Sequence, residues 1–519
     1  MPSRRAGAKS AGMTDQTIRE PVPARFNLSR YCLAENARLR PDETAITVVG
    51  DAGPMRWTHK ELDLKVRRLA AGLRSLGLAP GARVMIRMGN EANAALAYFA
   101  TIAAGYVALL ASSQLTFEEA GFLLEDCGAS VLALGAAFEK EAHEGSAIIL
   151  RGPDLERLAE SAPLEDYADT AADDPAYLVY TSGTTSRPKG VLHAHRAAWG
   201  RRPMRAHWTG LGPGDVMLHA GAINWTYTLG VGIVDPLSAG GSVVLYNGHP
   251  DPNVWPRLIA EHRASVFAGV PGVYRQMLKY GAPEQADLSS LRHGLSAGAA
   301  LPPALLAEWK ARTGKEIFEA FGMSECSTFI SSGPTTPVHP GSPGRPQPGR
   351  VVAALPQEGG ETPLPPGETG VLAVRRDDPG LMLGYWNRPD EERDAFRGDW
   401  FVSGDLVAFD AKGYMHHHGR ADEVMNAGGY RVSPAEVEKC LLAFDHVAEA
   451  AAAERPGRDS DTTIIKAYVV MRDNAPKNEE AILAHCHAHL AAYKRPRAVV
   501  FLDALPRNAN GKLMRAALP

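Results

Sequence analysis

Short apolar runs alternate with helix-like patterns along most of the chain. The runs SVLAL (130–134) and SVVLY (242–246) have the length of buried strands. The segments YRQMLKY (274–280) and PALLAEWKART (303–313) have the apolar spacing of amphipathic helices. Strands that alternate with helices form sheets whose faces are covered by those helices. The pattern therefore predicts an α/β fold, with a large N-terminal domain of covered sheets over residues 27–420.

The pattern changes after residue 420. The tetrapeptide SPAE has the form of a capping box, with Ser433 as N-cap, Pro434 at the first helical position and Glu436 reaching back. Two strand-like runs, a helix near 479–491 and a last strand, AVVFL, follow. We predict a small, mobile α+β domain over residues 421–519, which is an ordinary domain size.

Three other segments refine this organisation. Residues 334–370 are rich in Pro and Gly and predict a β-rich subdomain of turns and short strands. Residues 1–26 predict a disordered extension, whose basic start lacks the apolar core of a secretory signal. The uncharged run Ala94 to Ala111 has about the length of a membrane span. Its alanine content and the break at Gly105 instead favour a buried helix, a turn and a core strand.

Composition narrows the functional classes. A chain of 519 residues is expected to contain two or more domains. The formal net charge of −4 gives no reason to expect nucleic acid as a partner. The five cysteines are scattered and contain no CxxC pair, which argues against a disulfide framework or a zinc module. Their pattern favours a reducing compartment, and we expect a cytoplasmic protein without a membrane span.

The stretch YTSGTTSRPKG (180–190) continues from the strand-like run AYLVY (176–180) and has the composition of an anion-binding loop. A strand that ends in a loop of small and hydroxyl residues lets backbone N–H groups approach an anion, while a lysine adds a point charge. The spacing is not that of a Walker P-loop. The candidate phosphate ligands are Thr181, Ser182, Gly183, Thr184, Thr185 and Lys189.

Four further motifs lie downstream of this loop. They are LSAGAALPP (295–303), EAFGMSE (319–325), SGDL with GRADE (403–406 and 419–423), and PRNANGK (506–512). In order and spacing, the five motifs resemble the acyl-adenylate-forming superfamily, in its acyl-CoA synthetase or acid–CoA ligase branch. The resemblance implies a two-step reaction. A carboxylate first reacts with ATP to give acyl-AMP and pyrophosphate, and CoA then takes the acyl group and releases AMP.

The resemblance also implies roles for residues around ATP. Glu325 matches the glutamate that binds Mg²⁺ and contributes to catalysis, and oxygen ligands are those that Mg²⁺ prefers. Asp405 matches the carboxylate that accepts the ribose hydroxyls, and Arg420 matches a ribose or phosphate contact. The segments that match the adenine slot and the metal motif comprise Gly298, Ala299, Ala300, Glu319, Ala320, Phe321, Gly322, Met323 and Ser324.

Both implied half-reactions use the C-terminal domain. Lys512 matches the lysine that lies between carboxylate and phosphate during adenylation, where a cation offsets their repulsion. Asp422 matches the hinge about which the small domain rotates. The segment AGGYR matches the strand that binds CoA, through Gly428, Gly429, Tyr430 and Arg431.

Of the implied binding sites, the pocket for the carboxylic acid is the one that the sequence determines least. The segment HAGAINWTYTLGVG (219–232) resembles the acid-binding segment of medium-chain and acetate enzymes. Gly322 lies where acetate enzymes have a tryptophan, so we expect extra volume there and a medium-chain, branched, cyclic or aromatic acid. The candidate lining residues are Ala222, Asn224, Trp225, Tyr227, Gly322 and Met323.

The chain departs from the family pattern at a few positions without losing a needed chemical group. Ser186 replaces a common glycine, Ser324 replaces a threonine, and Glu423 replaces an aspartate. The run His416 to His418 is not interpreted as a metal site, because strand alternation separates His417 from the other two. Two alternatives to a CoA ligase stay open: an enzyme that loads a carrier-protein phosphopantetheine, and a non-catalytic nucleotide-binding regulator. We expect a monomer or homodimer.

Overall fold

The computed structural model describes residues 20–51, 53–143, 145–181, 188–249, 251–421, 425–427, 430–456, 463–473, 475–507 and 513–519. Of residues 426, 427, 430, 431, 463 and 493 it describes the backbone only. The α-helices are α1 (Leu28–Leu39), α2 (His59–Ser75), α3 (Ala92–Ala103), α4 (Phe117–Cys127), α5 (Gly152–Leu158), α6 (Ala197–Gly200), α7 (Arg202–Met204), α8 (Asp235–Ala239), α9 (Val254–Glu261), α10 (Pro271–Tyr280), α11 (Pro303–Thr313), α12 (Pro389–Asp394), α13 (Pro434–Leu442) and α14 (Glu479–His489).

The strands up to residue 420 form three sheets. They are β1 (Thr44–Gly50), β2 (Gly53–Thr58), β3 (Arg83–Arg87), β4 (Val107–Ala111), β5 (Val131–Leu134), β6 (Ile148–Leu150), β7 (Pro175–Thr181), β8 (Lys189–Ala194), β9 (Val216–His219), β10 (Ser242–Tyr246), β11 (Val266–Ala268), β12 (His293–Ser296), β13 (Glu316–Met323), β14 (Ser327–Ser331), β15 (Arg345–Pro346), β16 (Val352–Leu355), β17 (Gly370–Arg375), β18 (Gly384–Tyr385), β19 (Phe396–Arg397), β20 (Trp400–Phe409) and β21 (Met415–Arg420).

Two large sheets confirm the predicted α/β domain. One has nine strands in the order β15-β14-β13-β12-β11-β9-β10-β1-β2, and the other has seven in the order β18-β8-β7-β4-β3-β5-β6. Most neighbours in their centres are parallel: Val266 of β11, for example, pairs with Met217 and with His293. Parallel strands with helices on both faces are apolar throughout, and this explains why runs such as SVVLY show no alternation.

A third sheet forms the predicted β-rich subdomain, and of its strands only β16 lies wholly within the Pro- and Gly-rich region. Its order is β16-β17-β20-β19, with β21 paired to β20. All of these pairs are antiparallel. The β20–β21 pairing places Asp405 opposite Arg420, so two candidate ribose ligands share one register position.

The C-terminal domain has two small sheets of its own. Its strands are β22 (Met425–Ala427), β23 (Tyr430–Val432), β24 (Val447–Pro456), β25 (Thr463–Met471) and β26 (Ala498–Phe501). The pair β22-β23 and the sheet β24-β25-β26 enclose a separate apolar core with α13 and α14, which includes Val437, Ile465 and Ile482. The predicted succession of helix, two strands, helix and strand is confirmed.

The uncharged run near residue 100 is buried in the protein. It forms α3, a turn in which Gly105 has a φ of +88°, and β4, whose five residues are all buried. Within the described part of the chain, no helix combines the length and the apolarity that crossing a membrane requires. The interpretation as buried helix, turn and strand is confirmed.

Two local predictions are wrong. Ser433 is the N-cap residue of α13, but its side chain makes no capping hydrogen bond and its hydroxyl donates to the carbonyl of His418 instead. The contact to β21 therefore outcompetes the capping box. The predicted disordered extension, residues 1–26, also includes residues that are ordered. Arg25 forms a β-bridge with Ala171, and Phe26 is buried in the main core. Residues 1–19 lie outside the described part.

Candidate active site

The phosphate-loop motif begins in one strand and ends in the adjacent strand. Thr181 ends β7 and pairs with Lys189, which begins β8. The predicted strand before the loop is confirmed, while Ser182, Gly183, Thr184, Thr185 and Ser186 lie outside the described residues. The Lys189 ammonium forms an ion pair with Glu391 and lies 5.6 Å from the centre of the Tyr385 ring.

Tyr385 connects this lysine with the metal motif. The Tyr385 hydroxyl donates to Oε1 of Glu325 at 2.8 Å, and the Glu325 carbonyl accepts from the N–H of Met382 at 2.8 Å. Burial, together with the Glu325 charge, raises the pKa of Tyr385 well above its usual value, so the phenol stays a donor. Lys189 and Glu325 thus contact the face and the hydroxyl of one ring. Tyr385 could not be predicted from the sequence, because no motif links it to either partner.

The backbone next to Glu325 is also held by a hydrogen bond from β8. His193 of β8 donates from Nε2 to the carbonyl of Ser324 at 2.8 Å, and its ring stacks on Tyr177 with centroids 4.7 Å apart. Burial lowers the pKa of His193 to about 4, so the ring is neutral at pH 7. The Ser324 hydroxyl lies 3.5 Å from that of Thr226. Ser324 therefore contacts both the phosphate-loop strand and the predicted acid segment.

The two predicted adenine segments are joined by Glu319. Its carboxyl accepts the N–H of Leu301, directly after Gly298–Ala300, at 2.9 Å, and its own carbonyl accepts the N–H of Ser332. The residue is 9% exposed, and burial raises the pKa of Glu319 to about 8. The Glu319 side chain points into the protein and holds the two segments together, and the contact of its segment with the nucleotide stays a prediction.

The predicted ribose ligands are brought together with a residue that the sequence analysis did not select. His417 donates from Nε2 to Oδ1 of Asp405 at 2.9 Å, and Arg420 lies 3.8 Å from Oδ2. Burial opposes ionisation of Asp405, but the hydrogen bond and charge of His417, with the charge of Arg420, lower its pKa below the usual value. The His417 ring also lies 5.5 Å from that of Phe321, in the predicted adenine segment. The carboxylate is therefore ionised and oriented.

The acid segment contacts the adenine segment through Trp225. A Cβ at Gly298, where φ is +87°, would lie 3.0 Å from two atoms of the Trp225 indole. Trp225 meets the Tyr227 ring edge-on at 5.8 Å, and Tyr227 stacks on Trp208 at 6.0 Å. Tyr227 is buried, whereas Asn224 is half-buried and Ala222 is exposed. Trp208 was missed because its segment matches none of the motifs.

The expectation that Gly322 opens volume in the acid pocket is wrong. A Cβ at Gly322 would lie 2.2 Å from the carbonyl oxygen of Ser327 and 2.6 Å from the Cα of Thr328. Backbone of β14 therefore occupies the space that a side chain would need. The neighbouring Met323 is half-buried and packs against the core of the β-rich subdomain, away from the aromatic cluster of Trp208 and Tyr227.

The predicted C-terminal site residues are described only in part. Asp422, Glu423, Gly428, Gly429 and Lys512 lie outside the described residues, and Tyr430 and Arg431 are described as backbone in β23.

The chain on either side of the Lys512 segment is described. A bridge pairs Arg507 with Leu513, and Arg507 also donates to Glu449 at 2.7 Å. Glu449 in turn accepts from Arg275 of α10 at 2.7 Å. These contacts connect the segment that carries Lys512 with the N-terminal domain.

Comparisons with known proteins identify the family. Residues 33–386 match the family described as AMP-binding enzyme, and residues 436–512 match the AMP-binding enzyme C-terminal domain. A 3-hydroxybenzoate–CoA ligase from Aromatoleum sp. (strain CIB) is 30% identical over 91% of this chain and 92% of its own. A benzoate–CoA ligase from Thauera aromatica is 31% identical over 96% of both chains.

Among solved structures, that of the anthranilate CoA ligase AuaEII in complex with anthranoyl-AMP superposes with a TM-score of 0.84. It is 28% identical and covers 95% of this chain and 96% of its own. The matched residues of the two family models extend over both domains, and the fold, the motifs and the relatives lead to one conclusion. The chain belongs to the AMP-binding enzyme family, the acyl-adenylate-forming superfamily, in its CoA ligase branch.

Proposed function

We propose that the protein is an ATP-dependent aromatic acid–CoA ligase. In the first step a carboxylate oxygen bonds to the α-phosphorus of ATP, and pyrophosphate leaves with the electron pair of the broken P–O bond. In the second step the CoA sulfur bonds to the acyl carbon, AMP leaves, and the thiol proton passes to solvent. The free, buried state of all five cysteines suits a reducing compartment, and we place the reaction in the cytoplasm.

The contact of Trp225 with Gly298 carries the proposal for the acid. It places a cluster of aromatic rings, Trp208, Trp225 and Tyr227, directly beside the predicted adenine segment. Flat aromatic walls suit a flat ring, because offset and edge-to-face contacts stabilise aromatic pairs. The similar proteins named for 3-hydroxybenzoate, benzoate and anthranilate support the same class of acid.

The proposal extends to the remaining ATP contacts. When ATP binds, Lys189 leaves its ion pair with Glu391 and contacts the phosphates. The ionised Asp405 accepts hydrogen bonds from the ribose hydroxyls, and Arg420 adds positive charge beside this carboxylate. Glu325 is the residue that would hold Mg²⁺, which when bound neutralises phosphate charge. The oxygen-donor chemistry of Glu325 suits this ion, and the hydrogen bond from Tyr385 orients the carboxylate toward Lys189's side of the site.

The C-terminal domain completes both steps in this proposal. Lys512 lies between carboxylate and α-phosphate in the first step. The domain then rotates about Asp422, close to a boundary near residue 421, and presents Gly428, Gly429, Tyr430 and Arg431 to CoA. Rotation breaks contacts such as Arg275–Glu449, whose side chains are 37% and 21% exposed. Partly exposed pairs of this kind contribute modest energy and so permit movement.

Pyrophosphate release and thioester formation test this proposal. Both are measured over a panel of aromatic, branched, cyclic and straight-chain acids, with and without CoA. We expect aromatic acids to give the highest kcat/KM and thioester to form only with CoA. Thioester on a carrier protein but not on CoA would overturn the acceptor. Absence of turnover with every acid would favour the non-catalytic regulator.

A further inference from the structure

Three buried polar side-chain atoms in the acid segment have no hydrogen-bond partner among the described residues. They are His219 at Nε2, Tyr227 at its hydroxyl and Thr228 at Oγ1, and we call them the polar trio. Their exposures are 1%, 6% and 0%. Buried polar groups are nearly always hydrogen-bonded, so three such groups in ten residues indicate an absent partner.

The trio is one cluster. The rings of His219 and Tyr227 meet edge-on with centroids 4.5 Å apart. A Cβ at Gly221 would lie 2.2 Å from Oγ1 of Thr228 and 3.0 Å from Cε1 of His219. The threonine hydroxyl and the imidazole therefore both border Gly221, where a side chain would displace them.

The protonation of His219 is determined by its surroundings. Gly221 donates its N–H to Nδ1 at 2.9 Å, so Nδ1 is the unprotonated acceptor nitrogen. Burial lowers the pKa of His219 to about 3, so the ring is neutral at pH 7. The single ring proton is then on Nε2. The trio therefore presents one obligate donor and two hydroxyls that can donate or accept.

The location of the trio connects it with the acid. Tyr227 packs against Trp208 and Trp225, and Trp225 reaches Gly298 of the adenine segment. The same core cluster is otherwise apolar, with Met204 and Val231 among its members. A polar trio in such surroundings suits a ligand that is mostly apolar and carries one polar group.

We propose that the polar trio binds a ring hydroxyl of the aromatic acid, which makes the substrate a phenolic acid. The oxygen of the ring hydroxyl accepts a hydrogen bond from Nε2 of His219. The proton of the ring hydroxyl is donated in a hydrogen bond to the Tyr227 and Thr228 hydroxyl oxygens. A second carboxylate on the ring is disfavoured, because the trio is neutral and offers no countercharge. A ring amine is disfavoured because an aniline nitrogen accepts weakly from Nε2. This inference rests on the proposed aromatic acid–CoA ligase function.

The test compares benzoate with 2-, 3- and 4-hydroxybenzoate. The kcat/KM for thioester formation is measured for the wild type, Tyr227→Phe, Thr228→Val and Tyr98→Phe. Tyr98→Phe is the matched control, because its hydroxyl is also buried and unpartnered but belongs to α3. We expect the wild type to prefer one hydroxybenzoate over benzoate about tenfold or more, since a site built to bind a hydroxyl discriminates against the analogue that lacks it.

The variants separate recognition from packing. The preference for that hydroxybenzoate over benzoate should fall about tenfold in Tyr227→Phe and by a smaller factor in Thr228→Val, and should stay at the wild-type value in Tyr98→Phe. A wild type that uses benzoate and every hydroxybenzoate equally would overturn the inference while leaving the proposed function intact. A preference unchanged in Tyr227→Phe and Thr228→Val would mean that the trio holds at most water. Failure with every aromatic acid would overturn the proposed function itself.

Discussion

Glu325 and Tyr385 together determine how strongly the site would bind a magnesium ion. Replacing Glu325 by glutamine keeps the acceptor for the Tyr385 hydroxyl but removes the negative charge. We expect Glu325→Gln to lower kcat/KM for pyrophosphate release about 100-fold and to raise the Mg²⁺ concentration needed for half-maximal rate, because oxygen anions are the ligands that Mg²⁺ prefers. A MgCl2 titration of the adenylation rate provides the measurement.

Tyr385→Phe is the control for this change. It removes one hydrogen bond and leaves the Glu325 charge, so the effect should be about 1 kcal/mol in the barrier and the Mg²⁺ requirement should change little. A glutamine variant with the magnesium dependence of the wild type would show that Glu325 does not hold the ion.

Glu319 gives the folded protein a specific pH dependence. Burial raises its pKa from 4.5 to about 8, so between these values the folded state binds a proton that the unfolded state has lost. Its stabilising contribution is therefore complete below about pH 4.5, declines as the pH rises, and is lost above about pH 8, with at most about 1.4 kcal/mol per pH unit. Glu319→Gln keeps an acceptor for Leu301 and cannot ionise.

The free energy of unfolding of both proteins in urea, measured at pH 5, 7 and 9, tests this dependence. The stability of Glu319→Gln relative to the wild type should rise with pH across this range. A difference that is flat with pH would mean that Glu319 is ionised in the folded protein. Taking the difference between the two proteins removes the titration of all other groups.

At the scale of elements, the β13–β14 hairpin depends on Gly322. A Cβ there would overlap the backbone of Ser327 and Thr328, and Ser327 itself has a φ of +60°. We expect Gly322→Ala to destabilise the protein by about 1–3 kcal/mol, as overpacking against backbone does. Gly272→Ala in α10 is the matched control, because its added methyl meets nothing within 4 Å and should stabilise the helix by about 0.5–1 kcal/mol.

Urea midpoints of the two variants measure this contrast. Equal midpoints would show that the hairpin backbone moves to accept a side chain. In that case Gly322 could still border the acid pocket, and a larger residue there would alter acid preference rather than folding. The hairpin is the element to which Glu325 is attached, so its loss of order should also lower adenylation.

The elements could be predicted from the sequence where a local pattern determines them. Buried parallel strands such as β10 are continuous apolar runs, and α3 with β4 is distinguished from a membrane span by Gly105. The capping box failed because the Ser433 hydroxyl has a stronger alternative partner on β21, which no local pattern reveals.

The site could be predicted only where a motif carries it. The motifs gave Lys189, Glu325 and Asp405, but their partners Tyr385 and His417 are set by strand pairing and lie outside the segments that were recognised. Whether a side chain has a partner is likewise a property of the folded core. The unpartnered state of His219 and Tyr227 could therefore not be inferred from their spacing.

For the whole molecule, the central question is how one small domain serves two half-reactions. Glu449 joins α10, through Arg275, to Arg507 at the edge of the segment that carries Lys512. Lys279 of α10 also pairs with Asp473 at 2.8 Å, where the two side chains are 47% and 73% exposed. The described interface between the domains thus includes exposed ion pairs, which salt screens readily. Such an interface positions the C-terminal domain and would permit the proposed rotation.

Lys512→Ala separates the two half-reactions. If the lysine lies between carboxylate and α-phosphate only during adenylation, its removal should slow pyrophosphate release about 100- to 1,000-fold, the usual effect of losing one preorganised charge at a transition state. Thioester formation from synthetic acyl-AMP and CoA should stay within a few-fold of the wild type, because that step uses the other orientation of the domain. Lys477→Ala, which removes an exposed lysine of the same domain, is the control and should leave both rates near the wild-type values. Equal losses in both half-reactions would instead place Lys512 in a role common to both steps, such as holding AMP, and the division of labour between the two orientations would have to be abandoned.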